Sequence, residues 1–228
     1  MSGIAREDLF LVTKVWISNA GDERAAKSID ESLRKLETDY IDLLLIHQAF
    51  GDYYGTYRAM QKALEAGKVR AIGLSNFVDA RFVDLVENME VKPAVLQLET
   101  HVFSQQKRMR ELMAPYGTRL MAWAPLAEGK NGIFTHPTLM AIGAKYGKTA
   151  AQTALRFLMA EDVIAIPKSV HRERLVENFS IDDFELSAED LDAIRALDGG
   201  KPMFADFNDP ALAKFLLEYA AKFNPERQ

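Results

Sequence analysis

Short apolar runs alternate with longer amphipathic segments along nearly the whole chain. Residues 9–16 read as a strand, and residues 22–36 as a helix with apolar positions at 25, 26, 29, 33 and 36. Residues 41–47 form a continuous apolar run closed by a histidine, as expected of a strand buried on both faces. A helix over 54–65 follows, with Gly67 placed to stop it. The alternation continues with strands at 71–76, 95–99, 120–125 and 163–167. Helices fall at 79–88, 105–114, 139–146, 150–160, 173–178 and 188–197. From Gly199 onward a loop leads into a further helix near 210–223.

Strands that alternate with helices predict right-handed βαβ units and a parallel sheet. Six strands are expected, and five end in polar residues: Lys14, His47, Ser75 with Asn76, Gln97 with Glu99, and Lys168 with Ser169. Trp123 occupies the same place on the remaining strand. Both barrels and doubly wound α/β folds put their chemistry at that end. No Gly-x-Gly-x-x-Gly turn follows any strand, so a Rossmann dinucleotide site is disfavoured. Residues suited to phosphate lie near the last strand, where barrels often place them, and the barrel reading is preferred. No internal linker or second domain is evident, so one domain over 1–228 is expected, with a tail over 199–228.

At 228 residues the chain can bury one substantial core, and its net charge of −5 argues against a general nucleic-acid surface. There is no cysteine, which excludes disulfides and thiolate chemistry. No apolar run approaches the roughly twenty residues that span a membrane. The first eight residues lack the apolar stretch of a signal peptide, so a cytoplasmic protein is expected.

The candidate residues each admit two readings. Lys14 is either a lysine snorkelling from a strand end or a charge held in the barrel mouth. His47 is either structural or a donor to a carbonyl oxygen on which negative charge develops. His101, His136 and His171 have no such context and read as non-catalytic. Ser75, Asn76 and Gln97 are turn formers or partners for a carboxamide. Trp123, with Pro125 close behind, is a core aromatic or a flat face for a ring to stack on. The 166–170 run Ile-Pro-Lys-Ser-Val is followed by Arg174, Glu177 and Asn178 at helical spacing. Its cation, hydroxyl and guanidinium suit a fully charged phosphate.

Six motifs occur in a telling order: Thr13-Lys14-Val15-Trp16, Ile46-His47, Gly73-Leu74-Ser75-Asn76-Phe77, Gln97-Leu98-Glu99, Ala122-Trp123-Ala124-Pro125-Leu126 and the segment from Ile166 to Asn178. Over about residues 4–200 the chain resembles the aldo-keto reductases, NADPH-dependent carbonyl reductases built on a (β/α)8 TIM barrel. The resemblance is nearest to bacterial reductases related to 2,5-diketo-gluconate reductase. It implies that Lys14 and His47 are catalytic, and that Ser75, Asn76 and Gln97 hold the nicotinamide amide. Trp123 would stack on the ring, with Pro125 and Leu126 beside the cofactor. Lys168, Ser169 and Arg174 would clamp the 2′-phosphate, Val170 would contribute backbone, and Glu177 and Asn178 would meet the adenine. A small carbonyl substrate, NADPH, no metal and a monomer are implied.

The resemblance also implies that the chain starts at the equivalent of the family's third strand, about six βα units in all. The family's catalytic Asp and its proton-donating Tyr belong to the part before that point. Lys14 is then expected to lack its carboxylate partner, and the two sheet edges to invite self-association. Tyr53 and Tyr54, just after His47, are the nearest substitute phenols. A catalytically silent NADPH-binding or interaction protein is the alternative function, and a remnant that does not fold stably is a third.

Overall fold

The computed structural model describes residues 3–223, so Met1 and Ser2 of the N-terminal reading lie outside the described residues. One sheet contains six strands in chain order, β1 to β6. They are β1 (Val12–Val15), β2 (Leu43–Ile46), β3 (Ile72–Ser75), β4 (Val95–Glu99), β5 (Arg119–Trp123) and β6 (Ile164–Ala165). The helices are α1 (Asp22–Leu36), α2 (Tyr53–Glu65), α3 (Ala80–Asn88), α4 (Lys107–Met113), α5 (Pro137–Tyr146), α6 (Ala150–Ala160), α7 (Arg172–Phe179), α8 (Ala188–Arg195) and α9 (Pro210–Ala221). The sheet is open, with β1 and β6 as its two edges. This is the parallel α/β arrangement that the alternating pattern predicts.

The chain divides into two compact units. The first runs up to Leu96 and adds residues 115–118 and the segment from Asp206. In it β1 pairs in parallel with β2, setting Lys14 opposite Leu45, and β2 pairs in parallel with β3, setting Ile46 opposite Leu74. All four residues of β2 are buried, as a strand covered on both faces requires. Helix α1 keeps its expected bounds but buries a narrower stripe, Ala25 and Ile29, while Leu36 stays exposed. Helix α2 ends as expected, with Gly67 just beyond it in the left-handed region at φ 72°. Gly73 is required by packing, since a Cβ there would lie 2.6 Å from the Val95 carbonyl oxygen. At the far end of the strands Asp42 accepts from Arg6 at 2.8 Å and from the Leu11 amide at 2.9 Å. The returning tail is fastened to α3: Arg81 donates to the Phe207 carbonyl at 2.8 Å, and Asn208 donates to Asp79 at 2.8 Å.

The second unit comprises residues 97–114 and 119–205. Here β5 pairs in parallel with β6, Met121 opposite Ile164 and Ala122 opposite Ala165. Its core includes Leu98, Met109, Leu120, Leu139, Leu155, Phe157 and Ile194. Helix α6 opens on a capping box: Thr149 accepts from the Gln152 amide, and the Gln152 side chain accepts in return from the Thr149 amide. Gln105 fastens α8 to the turn after β4 by donating to Val102 and Ile194 carbonyls at 2.8 and 2.9 Å.

Candidate active site

In the first unit the functional candidates sit on β1, just past β2, and at and just past the end of β3. Lys14 is half-buried, and no ion pair among the described residues engages it. Burial holds its ammonium below the ordinary lysine value. The His47 amide donates to the Val15 carbonyl at 3.0 Å, which fixes the residue past the end of β2. Trp16 packs on the imidazole with ring centroids 4.9 Å apart and planes at 70°. Burial first, and the Lys14 charge second, lower His47 from 6.5 to about 4. It is therefore a neutral donor at physiological pH, the form that can give a hydrogen bond to a carbonyl oxygen while keeping its own proton.

Asn76 adopts a left-handed backbone at φ 62° and donates to the His47 carbonyl and to Gln48 Oε1, each at 3.3 Å. It ties the end of β3 to the end of β2. Beside it, Ser75 is 1% exposed and its Oγ has no hydrogen-bond partner among the described residues. A buried hydroxyl without a partner costs free energy, and a ligand amide at this point would relieve it. Tyr53 and Tyr54 stack on one another at 5.1 Å, but their hydroxyls donate to Asp84 Oδ2 at 3.2 Å and to the Asp84 carbonyl at 3.1 Å. Burial and the Asp84 carboxylate raise Tyr53 above its ordinary value, and Tyr54 rises to about 12. Both phenols are thus committed to α3, and neither stands as a substitute acid.

In the second unit Gln97 is buried and donates to the Met121 sulfur at 3.1 Å, a weak acceptor. Trp123 closes β5, followed by four non-glycine residues with left-handed backbones, Ala124, Ala127, Glu128 and Asn131. Such a concentration of strained dihedrals is typical of a segment shaped for a ligand. Pro125 is buried and Leu126 half-buried within it.

Leu126, Lys168, Ser169, Arg174, Glu177 and Asn178 line a single cavity of about 420 Å³. Among the described residues neither Lys168 nor Arg174 is in an ion pair, so two cations face this space unanswered. Ser169 Oγ accepts from the His171 amide at 3.1 Å, which shapes the entry to α7. The Glu177 carboxylate is held by the Thr149 hydroxyl at 2.6 Å. Val170, expected to contribute backbone, is 75% exposed and does not line the cavity. Phe134, Thr149 and Ala151 complete the wall and were not anticipated. Thr149 had a readable signal, since Thr-x-x-Gln at 149–152 is a capping box, but nothing local marks Phe134.

The Aldo/keto reductase family matches residues 2–199. Glyoxal reductase of Bacillus subtilis is 42% identical over 197 residues, spanning 86% of this chain and 71% of that protein. Among solved structures, MGS-M4, an aldo-keto reductase enzyme from a Medee basin deep-sea metagenome library, matches with a TM-score of 0.88 at 38% identity. That match covers 91% of this chain and 78% of the other. A mutant of Gox0644 in complex with NADPH matches with a TM-score of 0.85 at 33% identity, covering 89% and 76% of the two chains.

Proposed function

The chain belongs to the aldo-keto reductase family, and from that premise we propose that it binds NADPH and reduces small aldehydes or ketones to alcohols. The observation that carries the proposal is the cavity holding Lys168 and Arg174, two cations with no ion-pair partner among the described residues, which call for a doubly charged phosphate. Ser169 adds a hydroxyl there, while Glu177 and Asn178 supply polar atoms for a base. The Ser75 hydroxyl, without a hydrogen-bond partner among the described residues, is available to a carboxamide, and the family resemblance gives Asn76 and Gln97 the same role. Trp123, with Pro125 and Leu126, provides the face against which a planar ring is held.

NADPH, when bound, would supply the hydride for carbonyl reduction. The proton that completes the alcohol would come from solvent, because His47 keeps its own and the Tyr53 and Tyr54 hydroxyls are held by Asp84. The chain's own part is to stabilise charge on the carbonyl oxygen. His47, neutral because its pKa lies near 4, donates a hydrogen bond to that oxygen. Lys14 adds a positive charge whose partial burial strengthens its field. No helix among the described residues is long and apolar enough to cross a membrane. We place the activity in the cytoplasm on the family resemblance.

A second reading, NADPH binding without turnover, is favoured by two observations. Lys14 has no carboxylate partner among the described residues, and the Tyr53 and Tyr54 hydroxyls are held by Asp84. Carbonyl-dependent oxidation of NADPH by the purified chain separates the two. Turnover that falls by about 10²–10³-fold in His47→Ala supports the reductase; saturable NADPH binding without turnover for any aldehyde or ketone tried supports the silent reading.

A further inference from the structure

Glu99, the last residue of β4, has a side chain that the chemistry above does not use. It is 2% exposed, and both carboxylate oxygens are engaged. Oε1 accepts from the Met203 amide at 2.6 Å, and Oε2 accepts from the Phe204 amide at 3.1 Å. His101 Nε2 lies 3.2 Å from Oε1. Because His101 Nδ1 accepts from the Phe103 amide at 3.2 Å, Nε2 is the nitrogen that carries a proton toward Glu99. The backbone of Glu99 is fixed as well, its carbonyl accepting from Gln106 Nε2 at 2.7 Å. One carboxylate thus clasps two consecutive amides of the tail to the end of a strand.

What the clasp holds is the Phe204 ring. Its centroid lies 5.7 Å from that of Trp123 and 6.1 Å from that of His101. The Lys130 ammonium stands 4.7 Å over the same ring, and Asn131 donates to the Met203 sulfur at 3.3 Å. Residues 203–204 are therefore pinned from β4 and touch both Trp123 and the strained segment that follows it. Residues 199–209 form neither helix nor strand and have no ladder of their own, so the direction of the Phe204 ring depends on such point contacts.

We propose that Glu99 is a positioning residue that holds Phe204 against Trp123 and thereby limits the bulk of the carbonyl substrate admitted beside that tryptophan. The specificity part rests on the carbonyl-reductase reading above; the clasp itself does not. Two charge-assisted hydrogen bonds to neighbouring amides fix position more tightly than side-chain packing alone. In Glu99→Gln the amide nitrogen cannot accept, so one of the tail's donors loses its partner.

Hydrogen exchange on the full chain, without cofactor or substrate, reads the clasp directly. In Glu99→Gln the Met203 and Phe204 amides should exchange faster by about tenfold or more, while those of β5 stay protected as in the wild type. Unchanged protection of Met203 and Phe204 would overturn the proposal. Turnover then reads the consequence. The kcat/KM ratio of an aryl aldehyde to a short aliphatic aldehyde should rise by about threefold or more through KM, with kcat for the short one held. Phe204→Ala, which leaves the carboxylate intact, should raise the same ratio without loosening the Met203 amide. Faster exchange with an unaltered ratio in both variants would overturn the specificity role. A wild-type chain that turned over no carbonyl would instead sink the reductase reading, with the clasp still judged by exchange.

Discussion

The candidate residues on β1 to β3 and those lining the cavity beside α7 differ in how far they are withdrawn from water. Lys14 and His47 are partly withdrawn from water, and burial lowers both their pKa values. Lys168 and Arg174 are exposed around an open cavity. The contrast follows from the two tasks. A donor that must stabilise charge developing on an oxygen gains from a low-dielectric setting, where each interaction is stronger. Cations that must capture a ligand already carrying full charge from solution need to be reachable. Reactivity and recognition thus ask for different degrees of burial, and the chain supplies each where it is needed.

If that division is right, damage to the two regions should separate. The largest effect is expected from His47→Ala, which should lower kcat by about 10²–10³-fold with little change in NADPH affinity, checked by steady-state rates beside a binding titration. Arg174→Ala should do the reverse, weakening NADPH by about tenfold to a hundredfold while leaving NADH affinity and kcat at saturation nearly unaltered. A variant in either region that moved kcat and NADPH affinity together would break the comparison.

The buried character of His47 gives a third expectation, in pH. Its folded value of about 4 lies below the 6.5 of the free group, so the unfolded chain takes up the proton first as pH falls. Its contribution is full above about pH 6.5 and is lost progressively toward about pH 4, amounting to about 1–2 kcal/mol once partial exposure is discounted. Thermal melts should show His47→Gln to be less sensitive than the wild type across that window. Turnover should show no inflection near 6.5 from this residue. The smallest effect concerns Ser75→Ala. Removing a hydroxyl without a partner should leave the melting temperature level or slightly raised, yet weaken the cofactor by about fivefold, a loss of about 1 kcal/mol.

How far the sequence carries the account depends on whether a feature is local. The bounds of α1, α6 and β4 coincide with those expected, because each has its periodicity and its boundary residues within a few positions. The edge strands come out shorter. Residues 9–16 shrink to Val12–Val15, and 163–167 to Ile164–Ala165. An edge strand is paired along one side only, and Pro167 cannot donate to a ladder at all. The Lys168, Ser169 and Arg174 cluster was legible because one short segment brings its members together. Contacts between residues far apart in the chain leave no such trace. Nothing near residue 16 announces that Trp16 packs on His47, and nothing near 99 announces that Glu99 waits for amides at 203 and 204. The Tyr53 and Tyr54 idea failed for the same reason, since their partner Asp84 lies on the following helix.

The most direct test of the central claim is a calorimetric titration of the purified chain with NADPH and, separately, with NADH. Two cations answering a 2′-phosphate predict saturable NADPH binding at least about tenfold tighter than NADH, with a gap that narrows as salt is raised. Equal affinity for the two cofactors, or no binding of either, would contradict the account.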